Sequence, residues 1–257
     1  MMVPGVSGGS MAMVLGIYDR LISSVSSFFK DWKGNALYLI QFGLPAILGI
    51  VICASPISSV IDRFPVVSMF FFIGLVFGSL PMLYKTAKIE RLNWKYALSF
   101  IIGVAVVVAM AYLPPMGGDD VSLEMSVATF LLQIVTGIVV AVGFILPGIS
   151  TSYLLLLLGT YDYVMLAITQ LNIIALIPFV LGFILGVILL TRILEICMQR
   201  FPQLTYMMIM GFLIGSLYTV YPGTPSGWEI PLSILMFAIG FTIIYFVSRK
   251  EASLEKA

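Results

Sequence analysis

Histidine is absent from this chain of 257 residues, and cysteine and charged residues are scarce. The lack of histidine removes the side chain that proteins use most often as a general base or metal ligand. The two cysteines, Cys53 and Cys197, lie at or near the ends of apolar segments, so we expect packing residues without a disulfide or a metal. We expect no metal and no cofactor. The net charge is only +1, and no basic patch is interleaved with aromatic residues, so nucleic acid is a poor candidate for a partner.

Charged residues make up only 10% of the chain, whereas 61% of the residues are hydrophobic. Soluble domains carry about 25% charged residues, so this composition predicts an all-α polytopic membrane protein surrounded by membrane lipids. Several apolar runs are long enough to cross roughly 30 Å of hydrocarbon as helices. They lie at about Ala36–Ala54, Val66–Tyr84, Tyr96–Leu113, Val127–Leu146, Leu171–Leu190, Leu204–Tyr221 and Ile230–Val247.

A short motif occurs twice. Residues 4–10 read Pro-Gly-Val-Ser-Gly-Gly-Ser, and residues 147–152 read Pro-Gly-Ile-Ser-Thr-Ser. After an apolar run each copy continues as Leu-Gly-x-Tyr-Asp, and these second segments end at Asp19 and Asp162. Every residue that is identical in the two copies is separated from its counterpart by the same number of positions, which is the separation of the two motif prolines along the chain. This separation is called the motif offset below. The chain is therefore predicted to contain two copies of one unit, each opening with a break in an apolar segment.

The repeat continues beyond the motifs at a slightly smaller offset. Residues 63–65 and residues 200–202 both read Arg-Phe-Pro, and their separation, called the span offset below, also relates glycines in the following spans. We expect one unit at 1–113, a connecting loop outside the cytoplasm at 114–126, a second unit at 127–249 and a tail at 250–257. The first copy of the motif has only three residues before it, so we also expect that an apolar leg precedes this sequence in the natural chain.

The basic residues predict how the two units are oriented. If each motif region enters and leaves the membrane on one side, as a re-entrant helical hairpin, each unit then adds three transmembrane helices. In that arrangement twelve of the thirteen Lys and Arg residues share one side, and Arg63 alone lies on the other. The positive-inside rule favours this layout over one in which the second motif region crosses once. The sequence therefore predicts two inverted-topology repeats and a cytoplasmic C-terminus.

The paired motifs have the features of an anion site. Proline removes a backbone donor and glycine permits a sharp turn, so a helix begins again after the serines with several unpaired N–H groups. Lipid cannot pair with those groups, and together with the helix dipole and the hydroxyl groups they favour an anion. The alternative is that each motif is only a kink whose serines cap the next helix. The candidate phosphate-binding residues are Gly5, Ser7, Gly8, Gly9, Ser10, Gly148, Ser150, Thr151 and Ser152.

The two Pro-Gly-[Val/Ile]-Ser motifs, each followed by Leu-Gly-x-Tyr-Asp, resemble those of the bacterial polyprenyl-phosphate transporter family. The resemblance covers nearly the whole chain. It implies a flippase that moves a polyprenyl phosphate, such as undecaprenyl phosphate, across the bacterial cytoplasmic membrane for recycling in cell-envelope synthesis. The family often has glutamate where this chain has Asp19 and Asp162, and it usually has an apolar leg before the first motif.

A more distant likeness is to undecaprenyl-pyrophosphate phosphatase, which is also an inverted repeat with re-entrant Pro-Gly-x-Ser hairpins. That enzyme follows the motif with arginine and uses a Glu-x-x-x-Glu pair inside the membrane. Here Gly8 and Thr151 stand where the arginine would be, and the Glu251 to Glu255 pair lies in the tail. We therefore predict binding and movement without an enzymatic activity. The alternatives are a polyprenyl-pyrophosphate phosphatase and a small-anion transporter.

Four charged residues are additional candidates. Asp19 and Asp162 could carry a coupling proton or sodium ion, or orient a basic partner; alternatively, they are only interfacial. Arg63 and Arg200 occupy matching positions just before a Phe-Pro pair. They could receive phosphate on opposite faces of the membrane, or they could be interface anchors.

Overall fold

The computed structural model describes residues 8–89, 93–116, 123 and 126–254, and these residues form eleven α-helices and no strand. The helices are α1 (Gly8–Val14), α2 (Tyr18–Ser26), α3 (Trp32–Arg63), α4 (Pro65–Thr86), α5 (Trp94–Tyr112), α6 (Val127–Ile145), α7 (Thr151–Leu157), α8 (Tyr161–Thr169), α9 (Ile173–Arg200), α10 (Pro202–Val220) and α11 (Glu229–Leu254).

Local sequence accounts for where several of these helices begin. Pro65 and Pro202 start α4 and α10, where the missing N–H of proline leaves no hydrogen bond unmade. The side chain of Asp31 accepts a hydrogen bond from the Gly34 N–H and so caps α3. Asn172 caps α9 in the same way. Each of the matched Arg-Phe-Pro segments therefore contains the end of one helix and the start of the next, in both halves of the chain.

Six helices within the described residues are long and apolar enough to cross a membrane, namely α4, α5, α6, α9, α10 and α11. They coincide with six of the predicted apolar spans. The remaining span, Ala36–Ala54, lies inside the 32-residue helix α3, whose apolar side chains are largely exposed. The prediction of an all-α multi-pass membrane protein is confirmed.

Helices α6 and α9 lie side by side and run in the same direction. A Cβ atom on Gly182 would lie 2.1 Å from the Ile134 carbonyl oxygen, and one on Gly186 would lie 2.7 Å from the Ala141 Cβ. Later residues of α6 thus meet later residues of α9. The segment between the two helices must therefore return the chain to the end of the bundle where α6 begins. α7 and α8 make this return, with a bend of 115° between them.

Two further pairs, α4 with α11 and α5 with α10, also run in parallel. A Cβ on Gly74 would lie 2.2 Å from the Phe237 carbonyl oxygen, and one on Gly211 would lie 2.3 Å from the Phe100 carbonyl oxygen. These two contacts are related by the span offset, because Gly74 corresponds to Gly211 and Phe100 to Phe237. The absence of a side chain at each glycine lets the paired backbones touch.

A second set of contacts follows the same rule. A Cβ on Gly103 would lie 2.4 Å from the Met208 carbonyl oxygen, and one on Gly240 would lie 2.4 Å from the Phe71 carbonyl oxygen. Gly103 and Gly240 correspond at the span offset, and so do Phe71 and Met208. The α4–α11 pair and the α5–α10 pair are therefore built from equivalent contacts.

The two ends of the bundle are named here after the short helix that lies at each. At the α2 end, Asp19 of α2 accepts a hydrogen bond from Tyr206 near the start of α10. At the α8 end, Tyr163, Val164 and Ala167 of α8 pack on Ala175 in the first turn of α9. The largest buried cluster lies at the α2 end. Its members are Ala12, Met13, Tyr18, Ile22, Val76, Leu83, Ala87, Ile145, Leu194, Tyr206, Ile209 and Leu213.

Candidate functional site

The second motif forms a sharp break between α6 and α7. Gly148 has a φ of +88°, which side chains of L-residues rarely adopt. A Cβ at this position would also lie 2.4 Å from the Phe212 carbonyl oxygen of α10. Glycine is therefore required twice over, for the turn and for the close approach of another helix. The following Ser150 is the N-cap of α7, and its Oγ accepts a hydrogen bond of 3.4 Å from the Tyr153 N–H.

The break lies at the middle of the bundle. Its glycine contacts Phe212, which is close to the midpoint of α10 (Pro202–Val220). Ile149 belongs to a buried cluster with Val107 of α5, Leu154 of α7 and Phe212, so the motif is packed on three sides. The motif therefore lies level with the middle of α10, one of the six helices long and apolar enough to cross a membrane.

A cavity of about 260 Å³ adjoins the second motif. Its lining includes both Gly148 and Ser150, and none of the lining residues is charged. Three of the lining residues, Ser150, Tyr153 and Thr219, carry a hydroxyl, and the Thr219 hydroxyl already donates to the Ser216 carbonyl oxygen. The complete lining consists of Val107, Met110, Ala111, Gly148, Ile149, Ser150, Tyr153 and Thr219. A ligand in this cavity would therefore meet neutral hydrogen-bonding groups within an otherwise apolar wall.

Tyr153 fixes one wall of the cavity. Its hydroxyl lies 2.7 Å from the Met110 carbonyl oxygen and 2.6 Å from the Leu113 carbonyl oxygen. Met110 lies in the last turn of α5 and Leu113 is its C-cap, and the Met110 carbonyl also accepts a hydrogen bond from the Leu113 N–H at 3.1 Å. Tyr153 thereby ties α7 to the end of α5. No sequence motif marks Tyr153 or Thr219, because their place in the cavity wall depends on how distant helices pack.

The first motif is described only in part. Gly5 and Ser7 lie outside the described residues, and Gly8, Gly9 and Ser10 form the first turn of α1. A Cβ on Gly9 would lie 2.8 Å from the Ile145 carbonyl oxygen, just before the second motif. The structure thus brings the start of α1 against the end of α6. Of the candidate phosphate-binding residues, Gly148 and Ser150 line the cavity, whereas Thr151 and Ser152 begin α7 without lining it.

The four charged candidates occupy different environments. Asp19 is partly buried, and its carboxylate accepts a hydrogen bond from the Tyr206 hydroxyl of α10. Asp162 is exposed, although it occupies the corresponding position in α8. Arg63 and Arg200 are the last residues of α3 and α9, and both side chains are exposed. The structure therefore places none of the four in the cavity wall.

Tyr18 precedes Asp19 and is also engaged. Its hydroxyl donates a hydrogen bond of 2.8 Å to the Ile145 carbonyl oxygen. Burial, with a further contribution from the Asp19 charge, raises the pKa of the Tyr18 hydroxyl above its usual range. Tyr18 therefore keeps its proton and remains a donor. No group of three or more Cys, Asp or Glu residues close enough to hold a metal is found in the part of the chain that the structure describes.

Comparison with known proteins gives consistent matches. A family model described as undecaprenyl phosphate translocase-like matches residues 1–231. A relative from Staphylococcus aureus (strain NCTC 8325 / PS 47), named polyprenyl-phosphate transporter, is 31% identical over 274 aligned positions, covering 99% of this chain and 93% of the relative. A relative of the same name from Vibrio cholerae serotype O1 is 29% identical over 255 positions, covering 90% of this chain and 79% of the relative. No solved structure matches the chain.

Proposed function

The chain belongs to the undecaprenyl phosphate translocase-like family, and from this premise we propose that it transports a polyprenyl phosphate. The cavity beside Gly148 and Ser150, at the middle of a membrane-spanning bundle, indicates which residues would bind the substrate. We propose that this cavity receives the phosphate head group while the polyprenyl tail stays in the surrounding lipid. The lipid then crosses the bacterial cytoplasmic membrane and is reused in cell-envelope synthesis.

Neutral donors suit this task. A phosphate carried through hydrocarbon without partners would be very costly, so the protein has to replace its hydration. The Ser150 hydroxyl accepts from the Tyr153 N–H and can still donate its own proton to a phosphate oxygen. The cavity volume of about 260 Å³ leaves room for ordered water beside the head group. Because no fixed positive charge lines the cavity, the phosphate is held weakly enough to be released on the other side.

We propose that the two units are inverted repeats and that the first motif is a second phosphate-binding element. Support comes from the packing around α1. Met11 lies in a cluster with Leu75 of α4 and Ile244 of α11. At the motif offset Met11 corresponds to Leu154, and at the span offset Leu75 corresponds to Phe212 and Ile244 to Val107. These three counterparts pack together around the second motif. The first hairpin thus sits between α4 and α11 as the second sits between α5 and α10.

This arrangement would place Gly5, Ser7, Gly8, Gly9 and Ser10 in a site facing the α2 end, and Gly148, Ser150, Thr151 and Ser152 in a site facing the α8 end. We assign the α2 end to the cytoplasm, because Lys85, Lys88 and Lys95 lie there and the positive-inside rule applies. The C-terminus is then cytoplasmic as well. Head groups would pass between the two sites near the midplane, where Gly9 contacts the end of α6.

Binding without hydrolysis is the second part of the proposal. Gly8 and Thr151 occupy the positions at which the related phosphatase has arginine, and the cavity lining contains neither a carboxylate nor a basic side chain. Nucleophilic attack on a pyrophosphate would need such groups to position water and to neutralise developing charge. A phosphatase would release inorganic phosphate from polyprenyl pyrophosphate, whereas the proposed transporter would not.

The experiment that tests the proposal measures ligand choice by the purified protein. A long-chain polyprenyl phosphate should bind, the corresponding polyprenol should bind far more weakly, and inorganic phosphate should compete poorly because it lacks the tail. Equal binding of polyprenol would remove the role of the phosphate. Strong competition by inorganic phosphate would favour a small-anion transporter. Release of phosphate from polyprenyl pyrophosphate would favour the enzyme.

A further inference from the structure

Helix α2 is hydrogen-bonded to the second half of the chain at both of its ends. Near its start, the Tyr18 hydroxyl donates to the Ile145 carbonyl oxygen of α6 at 2.8 Å. Beside it, the Tyr206 hydroxyl of α10 donates to the Asp19 carboxylate. These two contacts join α2 to two membrane-spanning helices of the other unit.

The last turn of α2 makes a third such contact. The Ser26 hydroxyl donates to the Glu195 carboxylate of α9. Within the described chain, the side chains of α8 make no hydrogen bond to another helix, although α8 is the counterpart of α2 at the motif offset. Asp162 of α8 is exposed, and the Tyr163 hydroxyl is buried without a partner. The two short helices are therefore equivalent in sequence and different in attachment.

The two ends of the bundle also differ in how accessible the motifs are from each end. The cavity at Ser150 extends toward the last turns of α5 and α10, at the α8 end. Beneath α2, by contrast, lies the largest buried cluster, in which Ala12, Met13 and Ile22 are each at most 5% exposed. Anything moving from the motifs toward the α2 end would have to displace this cluster. Among the described residues, the α2 end is packed by this cluster, whereas the α8 end holds the cavity.

We propose that α2 is the gate at the α2 end and that the hydrogen bond from Tyr206 to Asp19 is one of the contacts that hold it shut. This inference rests on the proposed transport function. Release of the Asp19 carboxylate lets α2 swing away from α10 and exposes the buried face of α2. Asp19 and Tyr206 are thus positioning residues. They set which end of the bundle is open and do not themselves contact the head group in the cavity.

The gate can be measured with two neighbouring serines of α2. Ser24 is 5% exposed, whereas Ser23 is exposed. In a background in which Cys53 and Cys197 are replaced by serine, Ser24→Cys reacts with a thiol reagent only when α2 lifts, and Ser23→Cys reports full accessibility. The ratio of the two labelling rates in purified protein gives the fraction of time that the gate is open.

Tyr206→Phe keeps the ring in the buried cluster and removes only the hydroxyl. We expect it to raise the labelling ratio about ten-fold, because hydrogen bonds to charged groups contribute that much or more to an equilibrium. Asp19→Asn should raise the ratio less, since an amide oxygen still accepts. The matched control is Tyr96→Phe, which removes a tyrosine hydroxyl that donates to Gln203 at the same end of α10. This control should leave the ratio unchanged.

Two results would overturn the gate. The first is a labelling ratio that neither Tyr206→Phe nor Asp19→Asn changes. The second is an equal rise in Tyr96→Phe, which would indicate general loosening of the bundle. Labelling does not depend on transport, so the two proposals can fail separately. If Tyr206→Phe opens α2 but the purified protein does not bind polyprenyl phosphate, the gate stands and the proposed substrate is wrong.

Discussion

Replacing Ser150 with alanine separates the two roles of this side chain, as a helix cap and as a lining group of the cavity. As a cap it accepts one hydrogen bond from the Tyr153 N–H at 3.4 Å, which is long for such a bond. Losing an N-cap serine costs about 0.5–2 kcal/mol of stability, and the long distance places this site at the lower end. We therefore expect Ser150→Ala to fold with only a small loss of thermal stability.

The cost to ligand binding should be larger. A hydrogen bond to a charged group contributes about 1.5–3 kcal/mol, so removing the Ser150 hydroxyl should weaken polyprenyl phosphate binding roughly ten- to a hundred-fold. The assay is equilibrium binding to purified protein, with thermal unfolding recorded on the same samples. If the first motif contributes equally, Ser7→Ala should weaken binding by a similar factor.

The matched control is Ser126→Ala. Ser126 is also an N-cap serine, and its Oγ accepts from the Thr129 N–H of α6 at 3.0 Å, away from the cavity. It should lose at least as much stability as Ser150→Ala and bind the lipid with parental affinity. Parental affinity in Ser150→Ala as well would mean that the motif is only a kink, and the assignment of the cavity would have to be abandoned.

Three further predictions concern the surroundings of the cavity and the orientation of the chain. Gly148→Ala should lower the free energy of unfolding by about 2–5 kcal/mol, because alanine meets both an unfavourable φ and the Phe212 carbonyl. In the control Gly223→Ala, the glycine has a φ of +97° and lies in open space, so only the backbone strain applies. Equal losses in the two variants would refute the packing contact. Tyr153→Phe should lower stability by about 1 kcal/mol, seen as a lower melting temperature, and no change would mean that the bond to α5 is not formed. On intact cells, an impermeant thiol reagent should label cysteine at Trp228 and not at Lys88, and the reverse pattern would overturn the assigned orientation.

Much of the fold could be predicted because the chain repeats itself. The span offset, which relates Gly74 to Gly211, marked equivalent spans before any packing was known. Glycines at such positions permit helices to touch, so the sequence indicated close contacts. It did not indicate the partners. That Gly74 meets α11 and Gly211 meets α5 depends on which helices become neighbours, and helix neighbours are not encoded in local periodicity.

Only those parts of the site that are determined by neighbouring residues in the sequence could be predicted. Pro147 and Gly148 indicate a break in an apolar run, and Ser150 lies where a helix cap is needed. Tyr153 and Thr219 enter the cavity wall through tertiary packing, so no pattern near them revealed it. Asp19 is a candidate because it ends the repeated Leu-Gly-x-Tyr-Asp segment, but its hydrogen-bond partner on α10 lies 187 residues away in sequence. The sequence could nominate this residue without identifying what it binds.

Translocation across a sealed membrane tests the central claim most directly. The purified protein would be reconstituted into liposomes that carry a polyprenyl phosphate with a fluorescent tail label, and the accessibility of the head group from outside would be followed with time. We predict that the protein moves the labelled lipid from the inner to the outer leaflet faster than protein-free liposomes do, and that Ser150→Ala slows this movement. Equal rates with and without the protein would contradict the account.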